Sequence, residues 1–275
     1  MALANFDYTY DEERSPVSVF VAGKKEHALR GRFWDGFIDS TKGRPDGITF
    51  CKDMGINAGI SKYNNAQCEY LYNLFSKGGD VVFDPFAGGS VRGVIAALKG
   101  RQYFGFDVRL EQLEENISQY SAIDHVLKIG KFEPIYFHDS SENMGEYTAN
   151  ESVDFIQTSP PYFDVEIYSS QPDDLSNLKS YDEFLVRYEK ILQACFDALK
   201  LNKFCVFTVG NFRDGRGDMV DFVGDTIRIA EKAGFHFYNE MILVTNCFAK
   251  TYHANLFQKS KKIIKNHQNI LIFRK

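Results

Sequence analysis

Apolar and polar positions fall into two regimes along this chain. From Met1 to about Lys62 no period holds; the stretch is polar and Gly-rich, with turn signals at "SP", "TKGRPDG" and "AG". It predicts an irregular N-terminal extension with one short helix, residues 1–62, packed on the domain that follows. From residue 63 to 275 short apolar runs alternate with helical spacing. "NNAQCEYLYNLF" (64–75) is helical and stops at "SKGGD". "VVFD" (81–84) and "YFGFD" (103–107) read as strands, each followed by a helical pattern, "GGSVRGVIAALKG" and "RLEQLEENISQY". "PIYFHD" (134–139) and "VDFIQT" (153–158) are further strands. Ser180 and Glu183 form a capping box for a helix from Tyr181 to Lys200, with Phe184, Tyr188, Ile191, Cys195 and Leu199 on one stripe. "KFCVFTV" (203–209), a helix in "MVDFVGDTIRIAEKAG", and two closing strands, "FHFYNEMILVT" and "NILIFRK", complete the pattern.

Strand and helix in regular alternation predict an α/β fold with a doubly wound, mostly parallel sheet. The last two strands lack a helix between them, which predicts an antiparallel end to that sheet. A chain of 275 residues can bury the core of one such domain.

Composition changes this picture little. The net charge of −5 argues against a uniformly basic coat, but a local basic face is compatible with it. From Asn246 to Lys275 there is no Asp or Glu, while Lys250, Lys259, Lys261, Lys262, Lys265, Arg274 and Lys275 are present. Cys51, Cys68, Cys195, Cys205 and Cys247 are scattered without metal spacing and read as buried thiols in a reducing compartment. No metal site is expected. No apolar run suits a bilayer and the first residues lack a signal-peptide pattern, so the expectation is a soluble, cytoplasmic protein.

The chemistry concentrates at strand ends, where open α/β sheets bind ligands. The first core strand runs into "DPFAGGSVRG", in which Gly88, Gly89 and Gly93 allow close approach of a ligand before a helix N-terminus. No Gly-Lys-Ser/Thr follows, and the spacing is not GxGxxG. Asp107 ends the next strand, placed to accept from ribose hydroxyls, and Asp139 with Ser140 ends the third. Each acid alone would be an ordinary cap or turn residue; together they outline a nucleoside pocket without a phosphate reader. S-adenosylmethionine fits it as cofactor, with ribose at Asp107, adenine at Asp139 and Ser140, and the methionine part over the turn Asp84, Pro85, Phe86, Ala87, Gly88, Gly89.

The fourth strand ends in Ser159, Pro160, Pro161, Tyr162. Two prolines fix φ and remove two N–H donors, so this corner presents carbonyls and stays rigid. An exocyclic nucleobase amine has its lone pair delocalised into the ring. Acceptors on its N–H groups, Ser159 Oγ and a backbone carbonyl, would localise that pair, while Tyr162 offers a stacking face to a flipped-out base. A proline-stiffened loop would explain the corner by itself.

"DPFAGG" followed by "TSPPYF" resembles the DNA amino-methyltransferases that modify adenine N6 or cytosine N4. With "YFGFDVRLEQ", "TVGNFRDGRGDMVDFVGDTI" and "NHQNILIF", the chain from about Ser61 is similar to a group of phage-type DNA methylases. The resemblance implies the class I methyltransferase fold, a Rossmann-like seven-stranded sheet with an antiparallel last strand. It also implies a single catalytic domain over 63–275, and Tyr63 and Asn64 of "SKYNN" at the methionine end of the cofactor. Relatives commonly have Gly-Ser-Gly after "DPFA"; Gly-Gly-Ser-Val-Arg stands here. Ser159 replaces the Asp or Asn common in adenine enzymes, which favours cytosine N4, with adenine N6 or an RNA base as alternatives. A glutamine-amide methyltransferase, an inactive cofactor-binding scaffold and a nicotinamide oxidoreductase fit these residues less well. DNA, single- or double-stranded, is the expected partner. Short gaps between strands leave no large recognition domain, so Arg213, Arg216, Lys250, Lys259, Lys261 and Lys262 are the DNA-binding candidates, with short or relaxed sequence specificity.

Overall fold

The computed structural model describes residues 19–21, 63–127, 131–165, 168–244, 257–263 and 265–275. Strands β1 (Val19–Val21), β2 (Val81–Asp84), β3 (Gln102–Asp107), β4 (Ile135–His138), β5 (Val153–Thr158), β6 (Leu199–Val209), β9 (His236–Val244) and β10 (His267–Arg274) form one eight-stranded sheet, ordered β1-β9-β10-β6-β5-β2-β3-β4. A separate hairpin pairs β7 (Phe212–Arg213) with β8 (Met219–Val220). The helices are α1 (Asn65–Phe75), α2 (Val91–Leu98), α3 (Leu110–Leu127), α4 (Met144–Tyr147), α5 (Tyr181–Ala198) and α6 (Phe222–Ala233).

From β4 to β6 every pairing is parallel, and β10 lies antiparallel between β6 and β9. Without β1, this is the expected mostly parallel seven-stranded sheet with an antiparallel last strand. The eighth strand is a correction to the irregular reading of the extension: Val19–Val21 pairs parallel with Ile242–Val244 at the sheet edge. The remainder of residues 1–62 lies outside the described residues.

Strand β5 is buried at all six positions, so it does not alternate apolar and polar faces; its polar side chains, Asp154, Gln157 and Thr158, are buried and hydrogen-bonded. Phe155 faces the layer of α1 and α2, with Leu71, Tyr72 and Ile95. Ile156 faces the opposite layer, where Phe184, Tyr188, Ile191 and Cys195 of α5 are buried as their spacing predicts. Burying one such Phe stabilises by about 2–3 kcal/mol.

Two helix boundaries differ from the sequence reading. Helix α5 ends at Ala198 and Leu199 is already paired with Val153, so helix passes into strand without a loop. Met219 and Val220 belong to the hairpin; α6 starts at Phe222, because Asp221 caps it by accepting from Gly224 N–H at 3.1 Å. Among the described residues no helix is long and apolar enough to cross a membrane, and no group of His, Cys, Asp and Glu suits a metal ion. The described cysteines, Cys68, Cys195 and Cys205, are buried and free.

Strand order reverses between β2 and β5. The carboxyl ends of those strands, Asp84 and Thr158, therefore flank the crevice in which such sheets bind ligands.

Candidate active site

The turn after β2 is held from below. The Asp84 carboxylate is 0% exposed and pairs with the guanidinium of Arg92, itself 2% exposed. It also accepts from the Tyr103 hydroxyl at 2.7 Å and the Thr158 hydroxyl at 2.6 Å. Arg92 reaches on to the carbonyls of Phe86 (2.6 Å) and Ala87 (2.9 Å), and its guanidinium carbon lies 4.4 Å from the Tyr63 ring centroid. Burial works against its charge, but the Asp84 carboxylate more than offsets this and raises its pKa. Ser141 donates to the Pro85 carbonyl, and the Asn116 amide donates to the Gly88 carbonyl at 2.6 Å. Four consecutive carbonyls, Pro85 to Gly88, are thus tied to side chains from other parts of the chain.

Asp84 and its turn were expected to face the cofactor; the carboxylate faces inward instead, because Arg92, Tyr103 and Thr158 enclose it. The same holds for two neighbours. Tyr63 is buried, its hydroxyl shared with Thr208 (3.0 Å) and Gln67 (3.0 Å). Asn64 caps α1 by accepting from Gln67 N–H at 2.8 Å. Gly93, too, makes room for protein rather than ligand: a Cβ there would overlap the Tyr136 hydroxyl. Gly88 does carry the turn, at φ +50°, a conformation that suits glycine.

Asp107 accepts from Gly88 N–H and Arg109 N–H, both at 2.9 Å, through different oxygens. Each oxygen retains a lone pair, so a cis-diol can still be received. Burial pushes this carboxyl's pKa up, opposed by the two backbone bonds. Asp139 lies one strand further out and accepts from Tyr147 (2.7 Å), Asn143 (2.8 Å) and Ser140 N–H (2.7 Å). The bonds from Tyr147 and Asn143 hold its pKa below the usual carboxylate value. Ser140 is buried beside it and caps the short turn Ser141–Asn143.

At the end of β5, Ser159 donates its hydroxyl proton to the Thr208 carbonyl at 3.0 Å. A carbonyl can only accept, so both lone pairs on Ser159 Oγ stay available. Pro160 is buried and Pro161 half-buried. The Tyr162 hydroxyl accepts from the Gln268 amide at 2.8 Å, and its ring rests on Phe212 (6.3 Å, 20°) and edge-on against Phe222 (5.8 Å, 80°). Phe163 then adopts φ +48°, closing a turn in which Val165 N–H donates to the Tyr162 carbonyl at 3.0 Å. A non-glycine residue held there costs about 1 kcal/mol. Its ring is anchored against Tyr181 and Phe184.

The basic candidates are partly gathered by the β7–β8 hairpin. Arg213 donates to the Gly217 carbonyl at 2.8 Å, and Lys262 lies over Gly217, whose missing side chain makes the space. Arg216 is 84% exposed and pairs with Asp214 at 3.1 Å, which balances its charge. Lys259 is exposed, Lys261 lies over the Phe257 ring at 5.3 Å, and Lys250 lies outside the described residues. Arg92 was missed. Only the apolar setting of Arg92 in "GGSVRGVIAAL" hinted that its charge needed a buried partner.

The fold has known counterparts. A candidate rRNA-methylase from Clostridium thermocellum is 13% identical, with a TM-score of 0.50; the similarity covers 78% of this chain and 100% of that one. TrmN from Thermus thermophilus is 12% identical, TM-score 0.49, over 78% of this chain and 50% of that one. A candidate DNA modification methylase, also from Thermus thermophilus, is 21% identical, TM-score 0.38, over 49% of this chain and 50% of that one. A further structure of that methylase, complexed with S-adenosyl-L-methionine, is 24% identical, TM-score 0.36, over 49% of this chain and 52% of that one. The similarity to TrmN and to the DNA modification methylase spans about half the length of those proteins. No protein-family model and no curated protein sequence matches this chain. The sheet order and the antiparallel β10 are those of the class I methyltransferase fold.

Proposed function

We propose that this chain transfers a methyl group from S-adenosylmethionine to the exocyclic amine of a flipped-out base in DNA, cytosine N4 first. The observation that carries this reading is the Ser159 hydroxyl, whose proton is committed to the Thr208 carbonyl while its lone pairs stay open. A hydroxyl fixed as an acceptor, in the same rigid corner of the chain as Tyr162, suits an amine N–H, and it suits a carbonyl substrate poorly.

The residues present fit the cofactor. Asp107 has a lone pair left on each oxygen for the ribose, and Asp139 with Ser140 stands one strand further out for the adenine. In the Asp84–Gly89 turn the N–H groups of Phe86, Ala87 and Gly88 are already bonded, and the carbonyls of Pro85 to Gly88 each hold one donor. Their second lone pairs and Gly89 are what the turn offers the methionine portion. When bound, S-adenosylmethionine supplies an electrophilic methyl on a sulfonium. The chain's own part is positioning: Ser159 and a carbonyl of the Pro-Pro segment accept from the amine and localise its lone pair. Tyr162, backed by Phe212 and Phe222, holds the base flat. The prolines keep the two acceptors from rearranging. Residues 63–275 act as one catalytic domain, with the hairpin and the lysine-rich segment as the DNA-facing side. That small surface supports a short recognition site.

Incubation with methyl-labelled S-adenosylmethionine and duplex or single-stranded DNA, followed by digestion to nucleosides and mass analysis, tests this directly. N4-methylcytosine is the expected product. Labelled N6-methyladenine would change the base; label appearing in RNA or small amines but never in DNA would overturn the reading.

A further inference from the structure

Strand β6 leaves the sheet through Gly210, and the space a side chain would take there holds the ammonium of Lys265. A Cβ on Gly210 would overlap Lys265 Nζ and would stand 3.7 Å from the Tyr162 hydroxyl, so ammonium and phenol flank one backbone position. Lys265 Nζ donates to the Asn211 carbonyl at 3.2 Å, its one hydrogen bond among the described residues. An ammonium has three donors, so two remain. Arg92 is balanced by Asp84, Arg216 by Asp214 and Arg228 by Asp221 and Asp225, while Arg213 and Lys262, like Lys265, make no ion pair among the described residues. No carboxylate balances Lys265 among the described residues; the residue as a whole is exposed, and desolvation of its ammonium pulls the pKa down. The second glycine of the region repeats the device. Gly217 makes room for Lys262, so two ammoniums from one segment lie against two glycines that follow β6.

We propose that Lys265 receives a phosphate of the substrate strand, the phosphodiester beside the base that stacks on Tyr162. The site then takes a nucleotide within a strand in preference to a free base, nucleoside or small amine. The inference rests on the nucleobase reading above and names what that reading leaves open, the residue that grips the backbone at the target position. A lysine serves here as a point charge with donors to spare, the usual way a phosphate is held without reading sequence.

The test compares wild type, Lys265→Ala and Gly210→Ala in binding a short fluorescein-labelled single-stranded oligodeoxynucleotide, titrated between about 50 and 200 mM salt. One phosphate contact contributes roughly 0.7 to the slope of log affinity against log salt for a single strand. Lys265→Ala should flatten the slope by that amount and raise the KM for the oligonucleotide. Gly210→Ala, which displaces the ammonium without removing it, should flatten it as well. S-adenosylmethionine affinity and the thermal melt report that the variants fold. A folded Lys265→Ala protein with the wild-type slope overturns the assignment, as does equal wild-type efficiency on the free nucleoside and the oligonucleotide. A wild type that methylates oligonucleotides while Lys265→Ala keeps its slope sinks Lys265 alone. A wild type that binds and methylates no nucleic acid sinks the nucleobase reading and this inference with it.

Discussion

Replacing Arg92 by Met keeps the volume roughly constant and removes one charge. In the native protein Arg92 and Asp84 are almost fully buried and face each other. After the substitution the Asp84 carboxylate keeps only the Tyr103 and Thr158 hydroxyls and one backbone N–H. The carbonyls of Phe86 and Ala87 lose their donor as well. Removing one partner of a buried ion pair costs about 3–5 kcal/mol. Each orphaned carbonyl adds on the order of 1 kcal/mol, less where the turn can relax. The sum is about 5 kcal/mol, a large part of the roughly 5–15 kcal/mol that holds a domain together. With a urea m-value of about 2–3 kcal/mol/M, the unfolding midpoint followed by far-UV circular dichroism should fall by about 2 M. Adding Asp84→Asn to Arg92→Met should recover part of the loss, because the stranded charge is gone; the expected coupling is about 1–3 kcal/mol. A single variant within about 1 kcal/mol of wild type, or two substitutions that add without coupling, would refute the claim that this pair organises the turn.

Ser159→Ala should leave stability within about 1 kcal/mol of wild type, since one partly buried hydrogen bond is lost. The same variant should lower kcat by roughly 10²-fold in a methyl-transfer assay, the scale of one preorganised polar contact; full activity would remove Ser159 from the mechanism. Tyr162→Ala should weaken substrate binding by about 1–3 kcal/mol through lost stacking, while Tyr162→Phe retains most of it, read as KM for an oligonucleotide. Asp107 must be ionised to accept from a ribose, and its folded pKa is raised by burial. Cofactor affinity measured by calorimetry should therefore be full above that raised value and fall as pH drops through it, starting above the ordinary carboxylate range of about 4. In Asp107→Asn that dependence should vanish.

Much of the fold could be read from local pattern. The apolar Val153, Phe155 and Ile156 of "VDFIQT" and the α5 stripe are continuous enough in sequence to be visible without tertiary knowledge. The strand at Val19–Val21 was invisible because its partner, Ile242–Val244, is remote in sequence and nothing local marks the pairing. The start of α6 was misread because Met219 and Val220 continue its apolar pattern, while the Asp221 cap decides the boundary. At the site, Asp107, Asp139 and Ser159 stand at strand ends as the alternation implies. Asp84, Tyr63 and Asn64 carry the right chemistry at the right places, yet their polar atoms are engaged by Arg92, Thr208 and Gln67. Strand-end position is a one-dimensional signal; which way a carboxylate turns depends on neighbours brought in by the fold. Lys265 was similarly hidden: in sequence it is one lysine of several, and only Gly210 and Tyr162 beside it distinguish it.

The place of β10 between β6 and β9 has a consequence for how the chain is assembled during synthesis. Strand β9 emerges from the ribosome before β10 but touches the sheet only through it, and β1, made far earlier, touches the sheet only through β9. The five strands β2 to β6 can therefore zip up as they appear, while β1 and β9 wait with open edges for one later strand to seat them both. Translation that stalls after Val244 and before His267 leaves β1 and β9 unjoined to the sheet with strand edges open, the state in which a holdase chaperone has most to bind.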